Sequence, residues 1–588
     1  MTDLSIAVLE LDTTGRESAQ VQPGLSGIMF ATKCLLHEPI HTSAPLVLTI
    51  GEHCKGLPQL THRHHIGRIH LPCQWIIHQL HADPIKVLND QKILNTTELL
   101  QQLIGAEALH GTRGIEPSPS HGCRTRPSRN KPSRNKPRRA RSCRSWKDVV
   151  MHSTWTEQWW PIAYLQDLDR SQPNRFTLLE RDLVIWWDAK AEQASWRVFP
   201  DVCPHRLVPL SEGRINDEGL LECPYHGWSF DGEGHCRSIP QAPDNTKPEA
   251  RRSRCSSLPT AIGQGLLFVW TGEPDAANQH PLPLVPALEE DPKSWTLQDT
   301  FRDLPMDAVT LLENVLDVSH VPFTHHKTVG NRNNASPVLA TITREAEDGF
   351  DAFWEEGPRR GKLGSQTTSF HAPQLMWHDL TAKGFARILT VVYAVPIRRG
   401  ECRLFARFPF QFQSAVPKLL IGLRPRWLQH IGNHKVLEDD QVFLHWQERV
   451  LERAGGSPAA DRAFFMPNTA DVYVAALHRW LNNNGGEPFA GKDLPERQRT
   501  ADLMDRYYSH TQSCRSCSTA LRRIRAARPW AWVVLWGAAA LVGLGQGGVW
   551  SAIGVVIAAL AGLTLRQVSR WEKGLIRGDG AAPRNRQA

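Results

Sequence analysis

Two short loops carry the most specific chemistry in this chain of 588 residues. Cys203-Pro204-His205-Arg206 is followed, with 17 residues intervening after His205, by Cys223-Pro224-Tyr225-His226-Gly227-Trp228. Two thiolates and two imidazoles can hold zinc tetrahedrally. Here, though, each loop donates one Cys and one His, and proline follows each Cys directly. That pairing suits a [2Fe-2S] cluster in which Cys203 and Cys223 bind one iron and His205 and His226 bind the other. Exchanging two anionic thiolates for neutral imidazoles lessens the negative charge and raises the reduction potential, so the cluster can accept an electron and pass it on.

Such a cluster only moves electrons, so their destination must lie elsewhere. Downstream, Glu313-Asn314-Val315-Leu316-Asp317-Val318-Ser319-His320 runs on to His325-His326. His320 and His325 are five positions apart, slightly more than one helical turn, so a helix followed by a bent turn can aim both at one point. With one carboxylate they would form a facial triad on iron and leave positions open for dioxygen and substrate. His326 is an alternative to His325 that fits the spacing less well. The carboxylate is expected in Leu437-Glu438-Asp439-Asp440-Gln441, read as the polar start of a helix over a cavity. Asp440 is the first choice and Asp439 the second. The competing reading is an acidic helix start that complements the macrodipole. Asp317 would accept the outward N–H of His320 and orient the ring, and Asn314, one turn earlier, would hydrogen-bond near the iron.

These side chains need rigid elements to hold them, and the chain is long enough for three or four domains at roughly 100–200 residues each. Apolar residues make up 41% and charged residues 22%, which excludes collagen-like and globally disordered classes. Twelve cysteines are too sparse for a disulfide scaffold. Met1 to Gly27 lacks the basic start and apolar core of a secretion signal, so a reducing compartment is expected. The net charge of +8 is concentrated in nine basic residues between Arg124 and Arg141. The rest of the chain is close to neutral, which argues against nucleic acid as a partner.

Residues 1–150 hold scattered histidines such as His62, His64 and His65, and a tandem Pro-Ser-Arg-Asn-Lys repeat over 127–136. This low-complexity extension is expected to bury no core. It reads either as a disordered tail or as the product of an upstream start codon, with Met151 as the true first residue. A His-rich metal segment or an arm for an anionic partner is the functional alternative. From Trp155 to about residue 275, short β-type runs such as Leu183–Trp187 and Leu266–Trp270 alternate with turns, giving a small antiparallel domain. Residues 276–480 mix helical stretches with strands such as Ile388–Tyr393, so the class is α+β. A basic linker over 481–528 carries Cys514-x-x-Cys517. Trp530 to Leu565 then contains no charge over 36 positions and divides at Gln546-Gly547-Gly548. Each apolar piece is near the short end of what spans a bilayer. Arginines before it (Arg522, Arg523, Arg525, Arg528) and basic residues after it (Arg566, Arg570, Lys573, Arg577) place both ends on the cytoplasmic or stromal side of a transmembrane hairpin.

Over about residues 155–450 these motifs together resemble the Rieske non-haem iron oxygenases. The resemblance implies a helix-grip (START-like) catalytic domain around a large apolar pocket. It also implies a head-to-tail homotrimer in which Asp317 links His320 of one chain to the cluster histidine His226 of the next. The tail, from Asp505-Arg506-Tyr507-Tyr508-Ser509-His510 through Cys514 and Cys517 to the hairpin, resembles the pheophorbide a oxygenase and chlorophyllide a oxygenase branch, as does the pair His325-His326. Val318 departs from the proline expected after Asp317. The branch implies a monooxygenase drawing electrons from ferredoxin or a reductase, with O2 as co-substrate and a chlorophyll-derived tetrapyrrole as the apolar substrate. The location implied is the thylakoid or plasma membrane of a phototroph. It also suggests Cys514 and Cys517 as a thioredoxin-responsive switch; neighbouring Arg515, Arg522 and Arg523 would favour the thiolate. The alternative is a redox-sensing Rieske component without turnover, for which an intact Asp317, His320 and His325 would be superfluous.

Overall fold

The computed structural model describes residues 153–579, apart from 244–249, 358–362 and 383–384, together with the antiparallel strand pairs Ala7–Leu11/Glu17–Val21 and Val87–Asn89/Lys92–Leu94. The His-rich runs, the basic run and the tandem repeat of the extension lie outside the described residues. The chain divides into two compact units, 1–136 and 137–588; the two strand pairs belong to the first, and everything below concerns the second.

Strands β1 (Trp159–Tyr164), β2 (Asn174–Leu178), β3 (Arg181–Asp188) and β4 (Ser195–Pro200) open the unit. They include the apolar run Leu183–Trp187 and alternate with polar turns, as half-buried strands do. The short strands β5 (Arg214–Ile215), β6 (Leu221–Glu222), β7 (Ser229–Phe230) and β8 (Cys236–Ser238) form a four-stranded antiparallel sheet. It has its own small core of Val184, Trp186, Phe199, Leu210, Leu221 and Phe230 around Cys203 and Cys223. Strands β9 (Thr260–Gly263) and β10 (Leu266–Trp270) return the chain to β1, in the order β9-β10-β1.

Seven antiparallel strands follow: β11 (Thr296–Leu304), β12 (Thr341–Ala346), β13 (Gly349–Trp354), β14 (Leu363–His371), β15 (Leu375–Ala382), β16 (Phe385–Arg398) and β17 (Glu401–Phe412). The order is β11-β17-β16-β15-β14-β13-β12. A meander runs from β12 to β17, and β11 pairs in register with β17 from Thr296↔Phe410 to Leu304↔Cys402. Among the described residues, the other edge of β11 therefore has no strand beside it. Val391 to Ile397 of β16 are all buried, as expected of a strand covered on both faces.

The helices that bear on the site are α1 (Ala308–Leu316), the single turn α2 (Val321–Thr324), α3 (Ala415–Leu423), the long α4 (Arg426–Arg453), α5 (Val472–Asn483), and the antiparallel pair α6 (Arg515–Leu544) and α7 (Val549–Ile576). Two differences from the sequence reading stand out. The acidic cluster at 438–440 is no helix start: α4 begins at Arg426, and Asp440 lies in its middle. The basic linker is likewise not a separate element, because from Arg515 onward it is helical and continuous with the apolar segment.

The buried face of α4 follows helical spacing (His430, His434, Gln441, Leu444, His445, Glu448, Leu451), yet most of these residues are polar. Each such group costs free energy unless it finds a partner. Glu448 Oε1 accepts from Asp307 N at 2.7 Å and Thr310 Oγ1 at 3.0 Å. His445 Nδ1 donates to Pro305 O at 2.6 Å. Glu438 is gripped by Arg302 Nη1 at 2.8 Å and by Arg506 Nε and Nη2 at 2.6 and 2.7 Å. Burial favours the neutral acid, but the two guanidiniums outweigh it and hold the Glu438 carboxyl below the usual carboxylate range. Both arginines are fully buried, so truncating Glu438 strands two charges. Glu438→Ala is expected to cost about 3–5 kcal/mol, read as an earlier denaturation midpoint of the full chain in detergent. An unchanged midpoint would mean that α4 is held by its other contacts alone.

Candidate functional site: two metal centres

The two cluster loops are built alike. Cys203 N donates to Val208 O and Cys223 N to Trp228 O, both at 2.8 Å, while Leu207 N and Gly227 N close back on the carbonyls of Cys203 and Cys223 at 2.9 and 3.1 Å. Each loop turns through a positive φ at the same place, +62° at Leu207 and +71° at Gly227. At position 227 glycine takes this at no cost, whereas Leu207 carries strain. The thiols are buried, and the imidazoles face outward: His205 is exposed, and its ring lies 4.7 Å from that of His226. Trp228 stacks flat on His205 with centroids 4.5 Å apart. Burial, with Cys223 adding to it, pushes the Cys203 thiol up to about 12, so that thiol stays protonated until a metal displaces its proton. His226 Nδ1 is buried without a hydrogen-bond partner. Two buried thiols and an orphaned imidazole nitrogen converging from mirrored loops fit an iron–sulfur cluster.

The second centre forms at the end of α1. Asp317 ends that helix, His320 precedes α2 and His325 follows it, so the single turn presents both imidazoles to one point. Their Nε2 atoms are 3.3 Å apart. Asp440 comes across from α4, with Oδ2 3.2 Å from His325 Nε2 and Oδ1 3.9 Å from His320 Nε2. Asp440 Oδ1 is buried and has no hydrogen-bond partner. Two imidazole nitrogens and one carboxylate, all within 4.8 Å of one another, fit the donor set of a mononuclear iron.

The supporting contacts differ in detail from the sequence reading. His320 Nδ1 hydrogen-bonds to the backbone carbonyl of Asp317, and the Asp317 carboxylate lies 3.7 Å away. That carboxylate instead accepts from Ser319 N at 2.7 Å and Ser319 Oγ at 2.6 Å, which fixes the turn into His320. Asp439 stands behind His325 with Oδ2 3.4 Å from Nδ1, and also accepts from Thr328 Oγ1 at 3.2 Å. Adjacent aspartates on α4 thus face opposite sides of one imidazole ring. Burial opposes the charged form of His325, but the two carboxylates prevail and raise it to about 9. His326 turns away and accepts from Arg332 N at 3.3 Å. Asn314 is half-buried on α1, one turn before Asp317. Gly330 allows the following loop to fold back, since a Cβ there would meet Val321 O at 2.1 Å.

His378 carries no motif in the sequence, yet it fixes α1 from below. Its Nε2 donates to Val315 O at 2.9 Å and its Nδ1 accepts from Thr368 Oγ1 at 2.9 Å. Only an imidazole with a donor at one nitrogen and an acceptor at the other serves both, and a lone His in a strand gives no warning of that.

Cys514 and Cys517 lie elsewhere, at the start of α6, both buried and beside His430 and His510.

A family model described as "Rieske [2Fe-2S] domain" matches residues 158–256, and one described as "Pheophorbide a oxygenase" matches residues 370–458. Fold, donor sets and matches together define a Rieske-type non-haem iron oxygenase, with a Rieske [2Fe-2S] cluster and a mononuclear iron as its cofactors. The chain is 36% identical over 399 residues to "Pheophorbide a oxygenase, chloroplastic" of Arabidopsis thaliana, covering 62% of this chain and 72% of that one. It is 32% identical over 401 residues to "Flavonoid 8-hydroxylase 2, chloroplastic" of Ocimum basilicum, covering 63% and 75%. A solved structure of dicamba monooxygenase bound to dicamba aligns with a TM-score of 0.46 at 19% identity, covering 56% of this chain and 97% of that one. This chain belongs to the pheophorbide a oxygenase family of Rieske oxygenases.

Two outcomes follow from the site. Asp440→Ala is expected to lose the mononuclear iron while keeping the Rieske EPR signal. Asp439→Asn keeps the ligands but weakens iron retention by roughly 10–100-fold, measured as iron per chain after chelator challenge; equal losses in both variants would contradict the separate roles. The second outcome concerns His378, which burial lowers from 6.5 to about 4. Between those values the unfolded chain binds a proton that the folded protein refuses. Stability is therefore complete above about pH 6.5 and falls as pH drops towards 4. Denaturation at about pH 7 and about pH 5 should show a larger loss for the wild type than for His378→Gln.

Proposed function

We propose that this chain is a membrane-anchored monooxygenase that inserts one oxygen atom of O2 into a chlorophyll-derived tetrapyrrole, with electrons from a ferredoxin or reductase. The observation that carries the reading is the convergence of His320, His325 and Asp440 in the same chain as the Cys/His cluster loops, within a family whose relatives include a pheophorbide a oxygenase. When bound, the cluster supplies one-electron transfer and the mononuclear iron supplies dioxygen activation. The overall balance takes O2, two electrons and two protons. One oxygen atom enters the substrate and the other leaves as water.

The chain's own residues do the remaining work. His205 and Trp228 present the cluster edge at the surface, where a donor protein can approach. Cys203, Cys223, His205 and His226 hold the cluster, and His320, His325 and Asp440 the iron. Asp317, part-exposed beside His320, would receive His226 of a neighbouring subunit in a homotrimer. Phe323 between the two imidazoles and Phe443 one turn beyond Asp440 are 51% and 40% exposed, apolar surface that suits a flat aromatic ligand. A helix-grip arrangement, with α4 laid across the seven-stranded sheet, would enclose that ligand.

The anchoring reading rests on α6 and α7, which are long and apolar enough to cross a membrane. Trp530, Trp536, Trp550, Val555 and Leu563 project outward from them. Arg525 and Arg528 of α6 pair with Glu572 of α7 at 3.0 and 3.3 Å, so the basic feet of both helices lie on one side. Basic feet on one side support a reading in which the oxygenase stands on the cytoplasmic or stromal side of a thylakoid or plasma membrane. Trp427 of α4 packs on Trp571 at the foot of α7. The neighbouring α3 exposes Val416, Leu419, Leu420 and Leu423, which would rest on the same bilayer.

Single-turnover oxidation under 18O2, with reduced ferredoxin, tests the reading on pheophorbide a, chlorophyllide a, protochlorophyllide and a flavone. One labelled oxygen in a tetrapyrrole, absent in His320→Ala, is the expected result. Label in the flavone alone would move the substrate class to that of the Ocimum relative.

A further inference from the structure

The CxxC pair does not stand alone. His430 of α4, His510 in the short helical turn Tyr507–Thr511, and Cys514 and Cys517 at the start of α6 bring four donor atoms within 4.8 Å of one another, all buried. We propose that these four residues form a closed tetrahedral site for a zinc-type divalent cation, fastening the foot of the apolar hairpin to the catalytic sheet.

The outer nitrogens decide the matter. His430 Nε2 lies 2.9 Å from Asp299 O, and His510 Nδ1 lies 2.7 Å from Phe301 O. Carbonyls only accept, so both nitrogens carry hydrogen. Asp299 and Phe301 are alternate residues of β11, and the imidazoles take up carbonyls on the edge beside which the described residues place no strand. As neutral imidazoles, the rings are each left with a bare lone pair on the inner nitrogen, and the two lone pairs face each other at 2.9 Å. Two acceptors at that distance repel unless an electron-poor centre lies between them. The sulfurs complete such a centre: Cys517 Sγ is 3.3 Å from His430 Nδ1 and 3.4 Å from His510 Nε2, and Cys514 Sγ is 3.6 Å from His430 Nδ1. With Zn–N near 2.0 Å and Zn–S near 2.3 Å, tetrahedral edges are roughly 3.3 Å between nitrogens and roughly 3.6 Å between nitrogen and sulfur. The nitrogen–sulfur separations are close to this, and the two nitrogens lie about 0.4 Å nearer each other than the ion would hold them.

Charge points the same way. Both sulfurs bind as thiolates, and two thiolates neutralise a divalent cation, so the assembly can be fully buried without net charge. The carbonyl-anchored imidazoles are the outer support that metal-bound histidines ordinarily have. His434, one turn along α4, packs edge-on against His510 with centroids 4.3 Å apart and closes the site from that side. A disulfide between Cys514 and Cys517 would leave the opposed nitrogens unrelieved. Both sulfurs are buried, whereas a thiol switch needs access for its partner.

The test uses the full chain purified anaerobically in detergent without added zinc. Elemental analysis is expected to find one zinc per chain beside the iron of the two centres. Cys514→Ser/Cys517→Ser is expected to lose that zinc and retain the Rieske EPR signal. Should the double variant fail to fold, cobalt-grown wild type decides instead: a thiolate-to-cobalt charge-transfer band is expected, because among the described residues no cysteine outside the cluster loops and this site belongs to a group of metal-donor side chains. Three results would overturn the proposal: no zinc and no such band, iron in place of zinc, or a Cys514–Cys517 disulfide in peptides of the native protein. None of them bears on the oxygenase reading, which is judged by label in the product.

Discussion

Asp440 can face His320 and His325 only if α4 keeps one rotation and one height against the sheet, and what fixes both is the polar character of its buried stripe. A stripe of leucines would tolerate a slide of a fraction of a turn. Charged and hydrogen-bonding groups do not, because each loses its partner and pays for desolvation with nothing in return. Glu438 between Arg302 and Arg506, His445 on Pro305 O, and Glu448 on the start of α1 each set the same register from a different point on the helix. Asp439 and Asp440 then fall on opposite sides of His325 by geometry alone, since successive helix positions differ by about a quarter turn.

The same helix joins the catalytic centre to the rest of the chain. Glu448 ties it to Asp307 and Thr310 at the start of α1, whose other end leads into Asp317 and His320. His378 pins that end to the sheet through Val315 O. Ten residues before Asp440, and about 15 Å back along the axis, His430 meets the base of α6. Arg506 meanwhile reaches Gly574 O at the end of α7. A displacement of the hairpin is therefore passed to the helix that carries Asp440. The cluster loops obey a different logic: their small separate core and paired turns hold the thiols inside and the imidazoles outside, so the electron-accepting edge needs no opening of the fold.

Much of this was legible in the sequence because it was local. Cys203/His205 and Cys223/His226 sit in loops whose mirrored spacing is itself the signal, and His320 and His325 are placed by one turn of backbone. Strands β3, β10 and β16 follow from the apolar runs Leu183–Trp187, Leu266–Trp270 and Ile388–Tyr393. The helical hairpin follows from an uncharged stretch broken at Gln546-Gly547-Gly548. What could not be read was non-local or silent in hydropathy. The polar inner face of α4 gives no apolar period, so a mid-helix Asp440 passed for a helix start. Asp439 behind His325, His378 below α1, and His430 beside a CxxC 84 residues away acquire meaning only when the chain is folded.

The claim that α4 supplies the third ligand, and does so through Asp440, is tested most directly by locating the iron. Anomalous diffraction at the iron edge, from anaerobic crystals of the reduced full-length protein, should show one iron among His320 Nε2, His325 Nε2 and the Asp440 carboxylate, with Asp439 on the far side of His325 and out of coordination. Iron bound through Asp439 or His326, or no iron in this place while the cluster irons are present, would contradict the account.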